Sequence, residues 1–469
     1  MENAWADLAS RLGVDLHLDL RPDDSHGRRR GLAEALRAAV RSGRLRAGDR
    51  LPPYRSLAAD LGLSRGTVAA VYQELIAEGW LAARQGSGTM VADVLPDRSA
   101  ATGPHAMARP DPQYRHDFQL GQPTPALFPR ADWIAATRRA VGAAPNSAFA
   151  AGHAQGYRPL REALARYLAR IRGVRTTADN IVVTASVSQA AELLGRTLGG
   201  PIAVESYGLQ LHGQLLEQGG AQTIPIAIDD DGLRVDQLSD NLTAVLCTPT
   251  HQFPTGVALA PARRSALLEH ARRTNMLVLE DDYDGELRYD REPIGALQAL
   301  APELVLYLGT ASKSLSPAVR IAWMAVPDHL VDTMIAAKGP REGTASVVDQ
   351  MIFADLIESG AYDRHVRRSR QYYRRRRDRL LELLGDEAPV RGIAAGLHAV
   401  IELPTGAEQS VVAEGDRRGF RMLGLDEYRH PDATDRVADG LVIGFGSPPA
   451  SKFDDDVRAL AALLVTAGG

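Results

Sequence analysis

The sequence of 469 residues contains one cysteine, very little lysine and no long apolar stretch. The single cysteine, Cys247, excludes an internal disulfide and a zinc site built from cysteines. No run approaches the roughly 18 consecutive apolar residues that a membrane-spanning helix needs. The first 20 residues lack the basic segment and apolar core that are typical of a secretory signal. We therefore expect a cytoplasmic protein that has no membrane partner.

Positive charge is distributed unevenly, both by residue type and along the chain. Of the 54 basic residues, only Lys313, Lys338 and Lys452 are lysines, so each lysine needs a specific explanation. Residues 28–91 contain eleven arginines and five acidic residues, a net charge of +6, whereas the whole chain has −4 and the remainder therefore −10. A basic N-terminal region on an acidic body indicates a polyanionic partner for that region alone.

The pattern of residues 20–91 predicts a winged helix-turn-helix domain. Apolar residues at helical spacing predict a first helix over 30–42, and Ser64 is a candidate N-cap of the third helix. Two short strands are predicted over 80–84 and 88–92, around a small polar turn. Helix, helix, tight turn, helix and hairpin follow one another in the order of a winged helix-turn-helix.

Beyond this region the sequence predicts a linker and then an α/β domain. Residues 92–115 are rich in proline, alanine and glycine without apolar periodicity, which is typical of a linker. Over 116–469, buried-strand patterns alternate with helical patterns and predict a mostly parallel sheet. The apolar runs lie at 181–183, 202–204, 244–246, 277–279 and 304–307. An arginine-rich helix over 362–384 and the shorter strands after it predict a smaller C-terminal α+β lobe.

Polar residues of the N-terminal region stand where a recognition helix and a wing contact DNA. Arg65 begins the third predicted helix and can form two hydrogen bonds with guanine, while the hydroxyls beside it can reach phosphates. The wing tip is small and polar enough to enter a minor groove. The candidate DNA contacts are Arg55, Ser64, Arg65, Thr67, Gln85 and Gly86. A solvated helical domain that binds protein is the alternative.

A second set of residues suits a phosphorylated aldehyde cofactor. In LGTASKSLSPAVR, directly after a predicted strand, Lys313 is surrounded by small hydroxyl residues and Arg320 follows seven positions later. A lysine amine can form a Schiff base with the aldehyde, and hydroxyls with an arginine can hold the phosphate. The alternative is an ordinary surface lysine that follows a strand.

Three further segments follow or border predicted strands. The acidic run EDDYD at 280–284 begins 33 residues before Lys313, and pyridoxal phosphate needs a carboxylate at its ring nitrogen. A magnesium site or a solvated turn would also explain this run. Tyr207 can stack on a planar ring or be a half-buried core tyrosine. Residues 184–189 open a helix whose N-terminal amides favour phosphate.

Residues 28–91 closely resemble the winged helix domain of the GntR family of regulators. The resemblance rests on the LP-x-x-R-x-LA start, the LG-x-SR-x-TV helix and the GSGT wing. It implies that the six candidate DNA contacts bind DNA. Ala69 stands where some members have a further basic contact, so the base preference is not transferred.

Residues 116–469 resemble the class I aminotransferase domain of fold-type I pyridoxal-phosphate enzymes. The resemblance implies that Lys313 is the Schiff-base lysine, that Asp281 faces the pyridine nitrogen, that Tyr283 hydrogen-bonds the ring hydroxyl and that Tyr207 stacks on the ring. The implied residues around the phosphate are Ser188, Thr310, Ser312 and Arg320. A winged helix, a linker and this domain, in that order, resemble the MocR subfamily of GntR-like regulators, in which EDDYD and HQFPTG also occur.

The sequence departs from the family pattern at positions that bind carboxylates in relatives. Leu209 and Val442 stand where arginines would bind a ligand carboxylate, and Arg429-His430 is a nearby candidate substitute. Ser186 and Val187 replace a glycine and a serine of the phosphate loop.

The resemblance therefore implies a homodimeric, pyridoxal-phosphate-dependent regulator that binds double-stranded operator DNA. Its aminotransferase-like domain would sense an amine or amino acid effector, or the cofactor itself. The alternative is a competent aminotransferase with an accessory DNA-binding domain. The missing carboxylate arginine favours the regulator, because an α-amino acid aminotransferase must orient its substrate. No metal site is expected.

Overall fold

The computed structural model describes residues 28–41, 44–84, 88–92, 114–150, 153–289, 294–339, 345–385 and 388–467. The chain divides into two compact units, Met1–Arg109 and Pro110–Gly469. This division falls within the predicted linker, most of which lies outside the described residues, so the linker stays a prediction. None of the described helices is both long and apolar enough to cross a membrane.

The first unit is a three-helix domain with a β-hairpin, as the sequence predicts. Its elements are α1 (Arg28–Arg41), α2 (Tyr54–Asp60), α3 (Arg65–Ala77), β1 (Leu81–Arg84) and β2 (Gly88–Val91). The two strands pair antiparallel. Helix α3 begins after Ser64, whose hydroxyl accepts a hydrogen bond from the backbone N–H of Thr67 at 3.1 Å, so the predicted N-cap is confirmed.

Apolar stripes on these helices form the core of the first unit. Leu32 and Leu36 of α1 pack with Val68 and Val71 of α3, and all four are at most 1% exposed. Their spacing of three or four residues places each pair on one helix face, which is the pattern read from the sequence. The opposite face of α3 begins with exposed polar residues.

The second unit contains the other helices and strands of the described chain. The strands are β3 (His116–Asp117), β4 (Ile181–Thr184), β5 (Pro201–Glu205), β6 (Gln222–Ile226), β7 (Ile228–Asp229), β8 (Gly232–Leu233), β9 (Ala244–Cys247), β10 (Leu277–Asp281), β11 (Val305–Thr310), β12 (Ala322–Ala325), β13 (Val390–Arg391), β14 (His398–Glu402), β15 (Phe420–Arg421), β16 (Leu423–Gly424) and β17 (Gly440–Gly444). The helices are α4 (Arg130–Ala143), α5 (Arg158–Arg172), α6 (Val187–Leu198), α7 (Gln210–Gln218), α8 (Pro261–Thr274), α9 (Val331–Lys338), α10 (Val347–Glu358), α11 (Ala361–Leu384), α12 (Glu408–Arg418) and α13 (Phe453–Ala467).

A seven-stranded sheet with the order β4-β12-β11-β10-β9-β5-β6 forms the centre of this unit. Strand β12 is antiparallel to both of its neighbours, and the other pairs in the sheet are parallel. All five predicted apolar runs are strands of this sheet. The mostly parallel sheet is therefore confirmed, and the carboxyl ends of β5, β9, β10 and β11 meet at one edge.

Alternate residues of the central strands enter cores on opposite faces of the sheet. In β4, Ile181 and Val183 pack with Leu160 of α5, whereas Val182 packs with Leu194 of α6. Because both faces are covered by helices, these strands contain unbroken apolar runs instead of an alternation of apolar and polar residues. This explains why short apolar runs were the strongest signal in the sequence.

The smaller lobe is an antiparallel sheet of order β13-β14-β17-β16, packed with α11, α12 and α13. Helix α11 spans the predicted arginine-rich helix within one residue. Strand β3 pairs with β15, so the first described strand of the unit also belongs to this lobe. The predicted α+β lobe is thus confirmed.

Candidate functional site

A cavity of about 560 Å³ lies at the carboxyl ends of β5, β9, β10 and β11. Ligands of open α/β sheets bind at this edge, because loops after parallel strands converge there. The structure brings seven of the eight predicted cofactor residues to the cavity wall. They are Ser188, Asp281, Tyr283, Thr310, Ser312, Lys313 and Arg320.

Lys313 follows β11 and places its amine inside the cavity. Its Nζ donates a hydrogen bond to the carbonyl oxygen of Gly121 at 2.9 Å. Burial lowers the pKa of the Lys313 amine, and Asp284 and Asp281 partly counteract this effect. A lowered pKa provides more of the neutral amine, which is the form that attacks an aldehyde. Gly121 has φ +66°, a left-handed conformation that favours glycine, and a Cβ there would lie 2.5 Å from Nζ and displace the amine.

Asp281 has the feature expected of a carboxylate that awaits a cationic partner. It is 5% exposed, and its Oδ1 makes no hydrogen bond within the described chain. Its Oδ2 lies 3.8 Å from Nδ1 of His212, but burial and Lys313 lower the pKa of that imidazole to about 4, so it is neutral at pH 7. Burial, reinforced by Asp282 and Asp284, raises the pKa of Asp281 to about 8. A buried polar atom without a partner is costly, and a protonated ring nitrogen would satisfy it.

The neighbouring acids of the same run have structural partners instead. Glu280 accepts hydrogen bonds from the backbone N–H groups of Leu297 and Gln298. Asp282 forms an ion pair with Arg172, with 2.6 Å between Oδ2 and Nε, and both side chains are almost fully buried. Neither Glu280 nor Asp282 lines the cavity, whereas Asp281 and Asp284 do, and of these two Asp281 has a buried oxygen without a hydrogen-bond partner in the described chain.

Tyr283 belongs to a hydrogen-bonded cluster that sequence reasoning did not find. Its hydroxyl lies 3.1 Å from Nδ1 of His251, and the same Nδ1 lies 2.8 Å from Oδ2 of Asp284. The ring of His398 packs 5.0 Å from that of His251. Asp284 and His398 line the cavity as well. The signal was present in the HQFPTG segment, which by itself is indistinguishable from a turn rich in proline and glycine.

The remaining predicted residues form a set that suits a phosphate. Ser188 lies in the first turn of α6, where backbone N–H groups and the helix dipole favour an anion. The hydroxyls of Thr310 and Ser312 lie 3.0 Å apart. Arg320 has φ +54° and makes no hydrogen bond or ion pair with a described residue. An arginine held in the left-handed region is strained by about 1 kcal/mol or more, and such strain is concentrated at functional sites.

The structure does not bring Tyr207 to the cavity wall. Its side chain is 1% exposed and packs with Val400 and Val442, and its hydroxyl accepts a hydrogen bond from the backbone N–H of Val437. The same segment instead contributes Leu209 and His212 to the wall. Tyr207 immediately follows buried Ser206 and lies in a bridge to Arg429, which directs it into the core behind the cavity.

Among the described residues, the cavity wall contains no second arginine that could bind a carboxylate. Leu209 lines it, but Val442 is buried in β17 and does not. The guanidinium of Arg429, a candidate substitute, donates to the carbonyl oxygens of Asp435 and Ala433 and does not line the cavity. His430 does line it. Among the wall residues that the structure describes, Arg320 is the one arginine.

The first unit presents its predicted DNA contacts at the start of α3 and on α2. Arg55, Ser64 and Arg65 are exposed, and neither arginine forms an ion pair with a described residue. The hydroxyls of Ser64 and Thr67 lie 2.7 Å apart, so both are held at the N-terminus of α3. Gln85 and Gly86 lie outside the described residues.

Comparisons with known proteins agree with this division. The family described as "Bacterial regulatory proteins, gntR family" matches residues 28–91, and "Aminotransferase class I and II" matches residues 117–405. The HTH-type pyridoxine biosynthesis transcriptional regulator PdxR of Corynebacterium glutamicum is 34% identical over 92% of this chain and 95% of its own length. The probable rhizopine catabolism regulatory protein MocR of Rhizobium meliloti is 29% identical over 92% of both chains.

A solved enzyme structure shares the architecture of the second unit. The crystal structure of kynurenine aminotransferase from Pyrococcus horikoshii, a complex with PMP, superposes with a TM-score of 0.68 and 27% identity. The match covers 75% of this chain and 90% of the enzyme. With the regulators that match nearly its whole length, this shows that the chain belongs to the MocR subfamily of GntR-type transcriptional regulators, in which a winged helix domain is fused to an aminotransferase-like domain.

Proposed function

We propose that this regulator binds pyridoxal phosphate in the cavity and uses it for sensing instead of turnover. It binds operator DNA as a homodimer through the winged helix. The observation that carries the proposal is a nearly complete set of cofactor residues in a cavity whose described wall contains one arginine, Arg320. The signal is either an amine or amino acid that reacts with the bound cofactor, or occupancy by the cofactor itself.

Each end of the cofactor has a suitable partner on the cavity wall. Pyridoxal phosphate supplies an aldehyde and an electron-withdrawing ring. The amine of Lys313 would hold the aldehyde carbon, and Asp281 would pair with the ring nitrogen. Tyr283, oriented by His251, would donate a hydrogen bond to the ring oxygen. The phosphate would bind the hydroxyls of Ser188, Thr310 and Ser312, the N-terminus of α6 and the guanidinium of Arg320.

A wall whose described residues include no arginine besides Arg320 separates sensing from turnover. An amine needs only access to the aldehyde to bind, whereas proton transfer at the neighbouring carbon needs a rigidly oriented substrate. Arg320 is already assigned to the phosphate, and Leu209 is apolar. The relative PdxR is named for pyridoxine biosynthesis, which favours the cofactor itself as the signal. In either case the signal must bind one conformation of the regulator more tightly than another.

We expect no sustained aminotransferase activity from the cofactor-loaded protein. Common amino acids paired with 2-oxo acids should give at most one conversion per cofactor, because the one arginine of the described wall, Arg320, is assigned to the phosphate. The measurement is product formation over time, with the cofactor absorbance followed in parallel. Continued turnover at about 1–10³ s⁻¹, as usual for enzymes, would support the aminotransferase alternative instead.

We expect Arg65→Ala to weaken binding to a DNA site selected from random duplexes by about 1–3 kcal/mol, the value of one bidentate contact with a base. The matched control is Arg41→Ala, which removes the same charge from a side chain held by Glu34 and packed over Trp80. Fluorescence anisotropy at fixed salt concentration measures both affinities. If Arg65→Ala and Arg55→Ala both bind like the control, the recognition surface is misplaced.

A further inference from the structure

Helix α11 presents a stripe of arginines to solvent on the second unit. The arginine stripe consists of Arg364, Arg367, Arg368, Arg374 and Arg375, which are all exposed. Their spacing of three, four or seven residues places them along one helix face. The opposite face packs into the core through Tyr362, Val366, Tyr373 and Leu380, among other residues. No stripe residue lines the cofactor cavity.

Most of this positive charge has no carboxylate partner among the described residues. Arg368 lies 3.3 Å from Asp132, and Arg364 donates a hydrogen bond to the carbonyl oxygen of Ser359. Arg367, Arg374 and Arg375 make neither an ion pair nor a hydrogen bond within the part of the chain that the structure describes.

Several other exposed arginines of the same unit are paired with acids. Examples are the pairs Arg158–Glu162, Arg166–Glu358 and Arg273–Asp240. The chain outside residues 28–91 has a net charge of −10. The arginine stripe is therefore a local concentration of mostly unpaired positive charge on an acidic body. The overall composition of that body does not explain it, because its net charge is negative.

The dimensions of the stripe suit the phosphates of a duplex. At a rise of 1.5 Å per residue, Arg364 and Arg375 are about 16 Å apart along the helix axis, and Arg367 and Arg374 about 10 Å. Double-stranded DNA has one negative charge per roughly 1.7 Å of its axis, so several phosphates fall within this length. The planar guanidinium group binds a phosphate through two hydrogen bonds and is always charged.

We propose that the arginine stripe binds the phosphate backbone of double-stranded DNA that extends beyond the base pairs contacted by the winged helix. This proposal rests on the proposed function as a DNA-binding regulator and adds a second, sequence-independent DNA surface. Backbone contacts of this kind position a protein on the duplex without reading bases. They also make the affinity for long DNA strongly dependent on salt.

The test compares full-length protein with the triple variant Arg367→Gln, Arg374→Gln and Arg375→Gln. One duplex contains the selected site alone, and the other adds about 40 base pairs of random sequence, roughly four helical turns. Fluorescence anisotropy gives the affinity for each duplex between 50 and 200 mM salt. On the long duplex, loss of three phosphate contacts should reduce the slope of log K against log salt by about 2.7. On the short duplex the variant should bind like the wild type.

The matched control variant removes three paired arginines from the same unit: Arg158→Gln, Arg166→Gln and Arg273→Gln. It has the same net charge as the stripe variant, and its slope on the long duplex should be that of the wild type. A triple arginine-to-lysine variant of the stripe should keep most of the slope, since lysine preserves the charge. Thermal unfolding confirms that each variant is folded.

Three results would overturn the proposal. The first is an unchanged slope on the long duplex, and the second is equal loss by the stripe and control variants. The third is a stripe variant that keeps the wild-type affinity for DNA but loses binding to poly-glutamate, a probe for acidic protein. That result would indicate an acidic protein partner. Failure of the proposed function is separable, because Arg65→Ala would then bind both duplexes like the wild type.

Discussion

A Lys313→Ala variant is expected to lose covalent attachment of pyridoxal phosphate completely. The wild-type protein should be yellow, and borohydride should fix the cofactor to one peptide that contains Lys313. The physical reason is the location of the Lys313 amine, which lies inside the cavity with a lowered pKa. Absorbance of the purified proteins and mass spectrometry of the reduced peptides measure both effects.

The other two lysines provide the controls for this experiment. Lys452 is exposed and outside the cavity, so Lys452→Ala should keep the full absorbance. Lys338 is 1% exposed and donates hydrogen bonds to the carbonyl oxygens of Ala154 and Val183, which hold its amine away from the cavity. Recovery of the reduced cofactor on Lys338 or Lys452 would contradict the assignment of Lys313.

The fold could be predicted from the sequence because its strongest signals are local. The strands β4, β5, β9, β10 and β11 each contain an unbroken apolar run, since helices cover both faces of their sheet. The N-cap Ser64 and the helix α11, predicted over 362–384, were also visible in the sequence. The direction of each strand was harder to predict from the sequence than its position. The antiparallel orientation of β12 depends on the path of the loop between β11 and β12, which contains Lys313. No residue pattern predicts that path.

The site was predictable where a motif fixes a residue at a strand end, and less so elsewhere. Asp281 is the last residue of β10 and Lys313 lies three residues after the end of β11, so the sheet itself places them. The segment after β5 has no such constraint, and one bridge to Arg429 turns Tyr207 into the core while Leu209 reaches the wall. The cluster of His251 and Asp284 joins loops 33 residues apart, a contact that only the folded sheet creates.

The structure also predicts that substitutions of the adjacent acids Asp281 and Asp282 change the stability in opposite directions. The larger effect is expected at Asp282. We expect Asp282→Ala to lower the free energy of unfolding by about 3–5 kcal/mol, the usual cost of breaking a buried ion pair. The substitution leaves the guanidinium of Arg172 buried without its carboxylate and removes the acceptor of the Tyr307 hydroxyl. Chemical denaturation measures the change. The control Asp240→Ala breaks an exposed pair with Arg273 and should cost less than about 1 kcal/mol.

Asp281→Asn should instead stabilise the cofactor-free protein, and increasingly so at higher pH. The pKa of Asp281 is raised to about 8 in the folded state, well above the ordinary value of about 4 for an unfolded chain. Between these values the folded state binds more protons than the unfolded state, so its stability falls as the pH rises, by at most about 1.4 kcal/mol per pH unit. Asparagine does not ionise and removes this loss.

Denaturation of cofactor-free wild type and Asp281→Asn at pH 5 and pH 8 tests the sign of this effect. The gap between the two proteins should widen at pH 8, and the same variant should bind pyridoxal phosphate more weakly because the ring nitrogen loses its counter-charge. The two acids would have been assigned the wrong way round if Asp281→Asn lowered the stability at pH 8 while Asp282→Ala specifically weakened cofactor binding in a protein of unchanged stability. Only the geometry at the end of β10 distinguishes these adjacent residues, since Asp281 lines the cavity and Asp282 pairs with Arg172.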